Sequence, residues 1–168
     1  MPIRYCRLAA VLLAGVILPP SAANATPNSA AAVQGRVLPF DPHLDIGVDF
    51  DSAAVPATVD GNTQFDLPKA ARGGLKAAGL AVFVPQDIEN DATLASARAT
   101  ADAKHRIIIG LAARYPTQVG LAHSPEELRR IVASHRLAVV ETIVNGGAFV
   151  ASLDDLDVWA AKGVQIFG

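Results

Sequence analysis

Four strand-like runs alternate with helix-forming segments along this chain, and that alternation restricts its fold more than any other feature. The clearest run is Leu80–Val84, held between Gly79 and Pro85. It is too short for a helix and lacks polar alternation, as expected of a strand buried on both faces of a parallel sheet. Val37–Ile46, Leu137–Val144 and Val164–Phe167 also read as strands. Between them, Asp66-Leu67-Pro68 opens a short helix through Ala71 that Gly73-Gly74 stops. Ala92–Tyr115 carries an apolar stripe of Leu94, Ala97, Ala101, Ile108 and Ala112, and Pro116 ends it. Ser124-Pro125-Glu126-Glu127 announces a helix to about His135, and Leu153–Lys162 a further one, with Asp154, Asp155 and Asp157 favouring its N-terminal end. Alternation of this kind predicts an α/β fold with a parallel sheet. Pattern alone leaves two outcomes open, a doubly wound sheet or a (β/α)8 barrel of about 250 residues.

The N-terminus has a separate purpose. Arg4 and Arg7 flank the start of an apolar stretch, Leu8–Leu18, which Pro19 and Pro20 break ahead of Ala23-Asn24-Ala25. These are the three zones of a secretory signal, so residues 1–25 are expected to be removed on export to the periplasm or medium. A stable membrane anchor is not expected, because spanning a bilayer takes about 20 apolar residues. Residues 26–35 are small and polar and read as a linker, leaving 36–168 as the folded part.

Removal of residues 1–25 takes away the single cysteine, Cys6, and both leading arginines. The mature chain then has no thiol with which to bind metal or attack a substrate. Its 12 remaining Lys and Arg are scattered, apart from the pair Arg129-Arg130, so no basic stripe points to a nucleic-acid partner. Any metal must be held by histidine and carboxylate.

His43-Leu44-Asp45 lies near the end of the first predicted strand. Side chains two apart on a strand share a side, so this pair can offer an imidazole nitrogen and a carboxylate oxygen to one cation. The triplet by itself is unspecific. Its place is informative, because catalytic groups of barrels stand at the C-terminal ends of strands, and here a long loop over Gly47–Thr63 follows. His105, His123 and His135 fall within or beside helices without a ligand at short spacing and read as structural. Gly73-Gly74 and Gly146-Gly147 match no nucleotide-binding spacing and read as turns.

Several ordered motifs together resemble the membrane (renal) dipeptidase family. They are Asp41-Pro42-His43-Leu44-Asp45-Ile46, then Gln64–Lys69, Gly73-Gly74-Leu75, Ala81–Gln86, Ala103–Arg106, Arg114-Tyr115-Pro116, Ile143–Gly146 and Lys162–Gly168. The resemblance implies a (β/α)8 barrel of the amidohydrolase kind, of which this chain is roughly the first half, truncated after its last strand. It implies hydrolysis of dipeptides in a reaction assisted by two zinc ions, with His43 and Asp45 as metal ligands. It also implies a carboxylate that bridges the two metals, and Val144 stands at that position. Glu141 lies three residues earlier and in a regular strand faces the other way. No catalytic residue is assigned, and the remaining ligands are expected beyond Gly168. The expected partner is a dipeptide or other small molecule, and a homodimer is compatible with the pattern. The alternatives are a non-catalytic dipeptidase-like binding protein or remnant, and another hydrolase on the same barrel.

Overall fold

A computed structural model describes residues 29–168, so the predicted signal and its cleavage point lie outside the described residues. The chain runs α1 (Ala30–Arg36), β1 (Phe40–Asp45), α2 (Leu67–Arg72), β2 (Ala77–Phe83), α3 (Asp91–Arg114), β3 (Val119–Leu121), α4 (Pro125–Ala133), β4 (Leu137–Val144), α5 (Leu153–Ala161) and β5 (Ile166–Phe167). All strand pairs are parallel, in the order β1-β2-β4-β3 with β5 also on β4. Because β2 takes one edge of β4 along most of its length, β3 and β5 share the other. β3 lies beside Leu137–Val139 and β5 beside Thr142-Ile143. This is the arrangement of an incomplete (β/α)8 barrel.

Local chemistry accounts for the element ends. The Asp66 carboxylate caps α2 by accepting from the Lys69 amide at 2.7 Å, and Gly74, at φ 70°, provides the left-handed turn that ends it. Asn90 and Thr93 form a reciprocal capping box on α3, and Ser152 and Asp155 do the same on α5. Ser124 caps α4 by accepting from the Glu127 amide, while the Glu127 carboxylate reaches the amide of His123 at 2.8 Å, one residue before the cap.

Alternate residues of the strands separate two apolar clusters. Leu80, Val82 and Val84 of the β2 segment, with Leu137, Val139 and Ile143 of β4, pack under Ala101, Ile108 and Leu111 of α3. Phe50, Phe65, Phe149 and Trp159 extend that cluster at its sides. On the other face, Ala77, Ala138 and Val140 meet Ile131, Leu128 and Val132 of α4. α4 therefore covers only the N-terminal end of the face that a closed barrel turns inward.

Two elements were not read from the sequence. Helix α1, Ala30–Arg36, falls largely within the segment read as a linker, 26–35, and is capped by Ser29, whose hydroxyl accepts from the Ala32 amide at 3.2 Å. An alanine-rich run with a serine cap forms a helix even with little to bury. β3 was not anticipated, because three residues interrupted by Gly120 carry no readable period.

Candidate metal centre

β1 does not pair evenly with β2. Phe40 and Asp41 stand opposite Ala77 and Ala78, whereas Leu44 and Asp45 stand opposite Leu80 and Ala81. One extra residue is thus accommodated between Asp41 and Leu44, and the His43 amide donates to the Asp41 carboxylate at 3.0 Å within this bulge. Gly79 makes room for it. A β-carbon there would lie 2.2 Å from the Pro42 carbonyl oxygen.

The bulge leaves His43 and Asp45 on one side of the chain, with His43 Nε2 3.3 Å from Asp45 Oδ2. Both side chains are about half exposed, at 45% and 52%. An imidazole nitrogen and a carboxylate oxygen so placed fit part of a zinc coordination shell. Among the described residues, no group of three His, Cys, Asp or Glu side chains stands ready to hold a metal ion.

Register places Val144 relative to this pair. Asp45 neighbours Ala81, Ala81 neighbours Thr142, and Phe83 neighbours Val144, so Asp45, Thr142 and Val144 share one face at the C-terminal ends of their strands. Glu141 is on the opposite face, where its two carboxylate oxygens lie 2.8 Å and 3.1 Å from His105 Nδ1 of α3. Burial pushes the Glu141 carboxyl above the usual range, with the His105 contact opposing the shift. Glu141 is therefore committed to the helix side of the sheet.

A further polar group was not singled out from the sequence. Lys104 of α3 is only 7% exposed, and its ammonium lies 5.6 Å from the centre of the Phe83 ring. Burial lowers the pKa of this ammonium, and the negative charge of Asp45 opposes that shift. The available signal was its position in the apolar stripe, since Lys104 falls between Ala101 and Ile108 on the buried side of α3. Of the other histidines, His105 is the Glu141 partner just described, His123 contacts the Gly163 carbonyl at 3.3 Å, and His135 takes a left-handed φ of 60° past the end of α4.

Loops after the strands shape the mouth. Asn145, at φ 57°, turns the chain out of β4, and its side-chain amide donates to the Val84 carbonyl at 2.8 Å. That bond ties together the ends of β4 and β2. Beside it a cavity of about 460 Å³ opens between Gln86, Asp87, Asp91, Leu94, Gly147 and Val150.

Residues 28–168 match the profile of membrane dipeptidase, peptidase family M19. The chain belongs to the membrane dipeptidase family. Its structure is similar to that of the probable dipeptidase PvdM from Pseudomonas aeruginosa, at 33% identity and a TM-score of 0.77 over 82% of this chain and 36% of that one. Dipeptidase AC, a metallopeptidase of family M19, superposes with a TM-score of 0.66 at 21% identity, over 78% of this chain and 42% of that one. A metallopeptidase from Rhodobacter sphaeroides, liganded with a phosphinate mimic of L-Ala-D-Ala, gives 0.64 at 20% identity, over 78% of this chain and 45% of its own. The latter two establish likeness of fold. This membrane-dipeptidase-family chain thus spans less than half the length of each of these structures. No curated protein matches it.

Proposed function

We propose that this chain is the N-terminal part of an exported, zinc-dependent dipeptidase-like barrel, and that by itself it does not turn over dipeptides. One observation carries the reading: in a chain of this family, His43 Nε2 and Asp45 Oδ2 stand 3.3 Å apart at the C-terminal end of the first strand. Zinc bound there would polarise a peptide carbonyl and acidify a water molecule. His43 and Asp45 would hold it from one side. Asn145 would keep the adjoining loop in place through its bond to the Val84 carbonyl.

Val144 favours a second reading, a dipeptidase-like protein that binds small ligands without hydrolysing them. Its side chain shares a face with Asp45 but offers no oxygen to a metal. The test is hydrolysis of a dipeptide panel by the purified chain with added zinc, alongside its zinc content after dialysis. Little turnover and far less than two zinc ions per chain are expected. Turnover abolished by a chelator, with about two ions retained, would overturn the proposal. Val144→Glu in this chain is expected not to restore activity, because even with that carboxylate no further histidine stands beside the pair, among the described residues, to hold a second metal ion.

A further inference from the structure

We propose that the cavity at the N-terminal end of the sheet, bounded by Lys76, His135 and Arg136, is a binding site for a small, doubly charged oxyanion of the phosphate type. It lies at the end of the strands opposite to His43 and Asp45, so it stands or falls independently of the metal reading.

A cavity of about 300 Å³ opens where α2 and α4 end and β2 and β4 begin, with Gln118 at its side. Lys76 and Arg136 each precede a strand by one residue, and the pairing of Ala77 with Ala138 brings the two strand starts side by side. The cavity wall holds no carboxylate. By contrast Lys69, Arg72, Arg98, Arg114 and Lys162 each meet an aspartate. Among the described residues, nothing forms a hydrogen bond or ion pair with the Lys76 ammonium or the His135 ring. Basic groups gathered without a counter-charge create a positive local potential, here in a chain of formal net charge −2, and a bound anion relieves it.

The donors are also oriented. Arg136 Nε donates to Ser134 Oγ at 2.9 Å and its Nη1 to the Pro116 carbonyl at 3.2 Å, which fixes the planar group and leaves Nη2 for a ligand. Basic residues commonly gather at helix ends to meet the last carbonyls. Here those carbonyls are taken: the amides of Ser134, His135 and Arg136 donate back into the last turn of α4, and those of Gly73, Gly74 and Leu75 into α2. His135 holds its left-handed φ of 60° where glycine is the usual residue, so its side chain is kept at the cavity despite a conformational cost of about 1–2 kcal/mol. Donors converging from three side chains suit a tetrahedral oxyanion, whose several oxygens can each accept from one of them.

Titration of the full chain with inorganic phosphate, at ionic strength held constant with chloride and followed by NMR of the histidine imidazoles and backbone amides, tests the site. A saturable response at His135 and Gln118 is expected, with none at His43. Lys76→Gln and Arg136→Gln should each weaken binding about fivefold or more, while Arg129→Gln, which removes an equal charge elsewhere, should leave it unchanged. Should Arg136→Gln fail to fold for want of its bond to Pro116, Lys76→Gln gives the same test, because its ammonium touches none of the described side chains. Acetate is expected to act several-fold more weakly than phosphate, and an equal response would overturn the assignment of a doubly charged ligand. Absence of a saturable response at His135, or an equal loss in Arg129→Gln, would overturn the site itself.

Discussion

His105 holds Glu141 away from the metal-facing side of the sheet, with its Nδ1 2.8 Å and 3.1 Å from the two carboxylate oxygens. Glu141 is 3% exposed, and the ring of Trp159 stands edge-on to His105 at 5.9 Å. The pair therefore fastens β4 to α3 and α5, and it keeps Glu141 on the face of the sheet opposite Val144.

Removing His105 leaves the buried Glu141 carboxyl without its hydrogen-bond partner, so His105→Ala is expected to destabilise the chain by about 1–3 kcal/mol. Replacing both residues by leucine should cost markedly less than the sum of the single changes. Urea unfolding followed by the fluorescence of Trp159, the only tryptophan, measures both. An additive double mutant would show that the two side chains are not coupled.

Gly79→Ala sets a methyl group against the Pro42 backbone, where a β-carbon would lie 2.2 Å from the carbonyl oxygen. Because backbone cannot swing aside like a side chain, the β1 bulge must shift, at a cost of about 1–3 kcal/mol or more. The same change at Gly147, where an added β-carbon meets nothing within 4 Å, is expected to be much milder. Denaturation midpoints of the two variants decide the matter, and equal losses would remove the special role of Gly79.

Asp66 gives the stability an acid limit. Burial acts to raise its pKa, but hydrogen bonds from the Lys69 side chain and from the amides of Lys69 and Gly61 outweigh it and hold the carboxyl below its usual value. A group whose pKa is lower when folded contributes fully above the unfolded value of about 3.9, and loses that contribution as pH falls through the folded one. Asp66→Ala should therefore cost about 1–2 kcal/mol near neutrality, where the cap is also lost, and little at the acid end of the window. Thermal melts between pH 2 and pH 7 (roughly the span over which a lowered aspartate titrates) provide the readout. A mutational cost that stays constant with pH would contradict this account.

Export should leave Thr26 as the first residue, since the basic, apolar and Ala-x-Ala zones end at Ala25. Intact mass of the periplasmic product after expression in a bacterial host reads the cleavage point directly. A product that retains Met1, or that stays in the inner membrane, would refute it.

Much of the fold was written locally. The apolar run around Leu80–Val84, the caps at Asp66 and Ser124, and the limits of β4 at Leu137 and Val144 are short-range signals. Each depends on neighbouring residues in the chain, so each was legible before any tertiary contact was known. The apolar run predicted at Leu80–Val84 extends back to Ala77 in β2 because small residues, uninformative by themselves, complete its pairing with β4.

The sequence by itself determined the alternation of strands and helices, the spacing of His43 and Asp45, and the absence of a carboxylate at Val144. Tertiary structure decided what surrounds them. That Pro42 needs Gly79 beside it, that His105 captures Glu141 across 36 residues, and that Lys104 brings its charge to Phe83 are contacts between segments distant in the chain. No local period or propensity encodes such meetings, because they follow from which strand lies beside which and how far each helix reaches over the sheet.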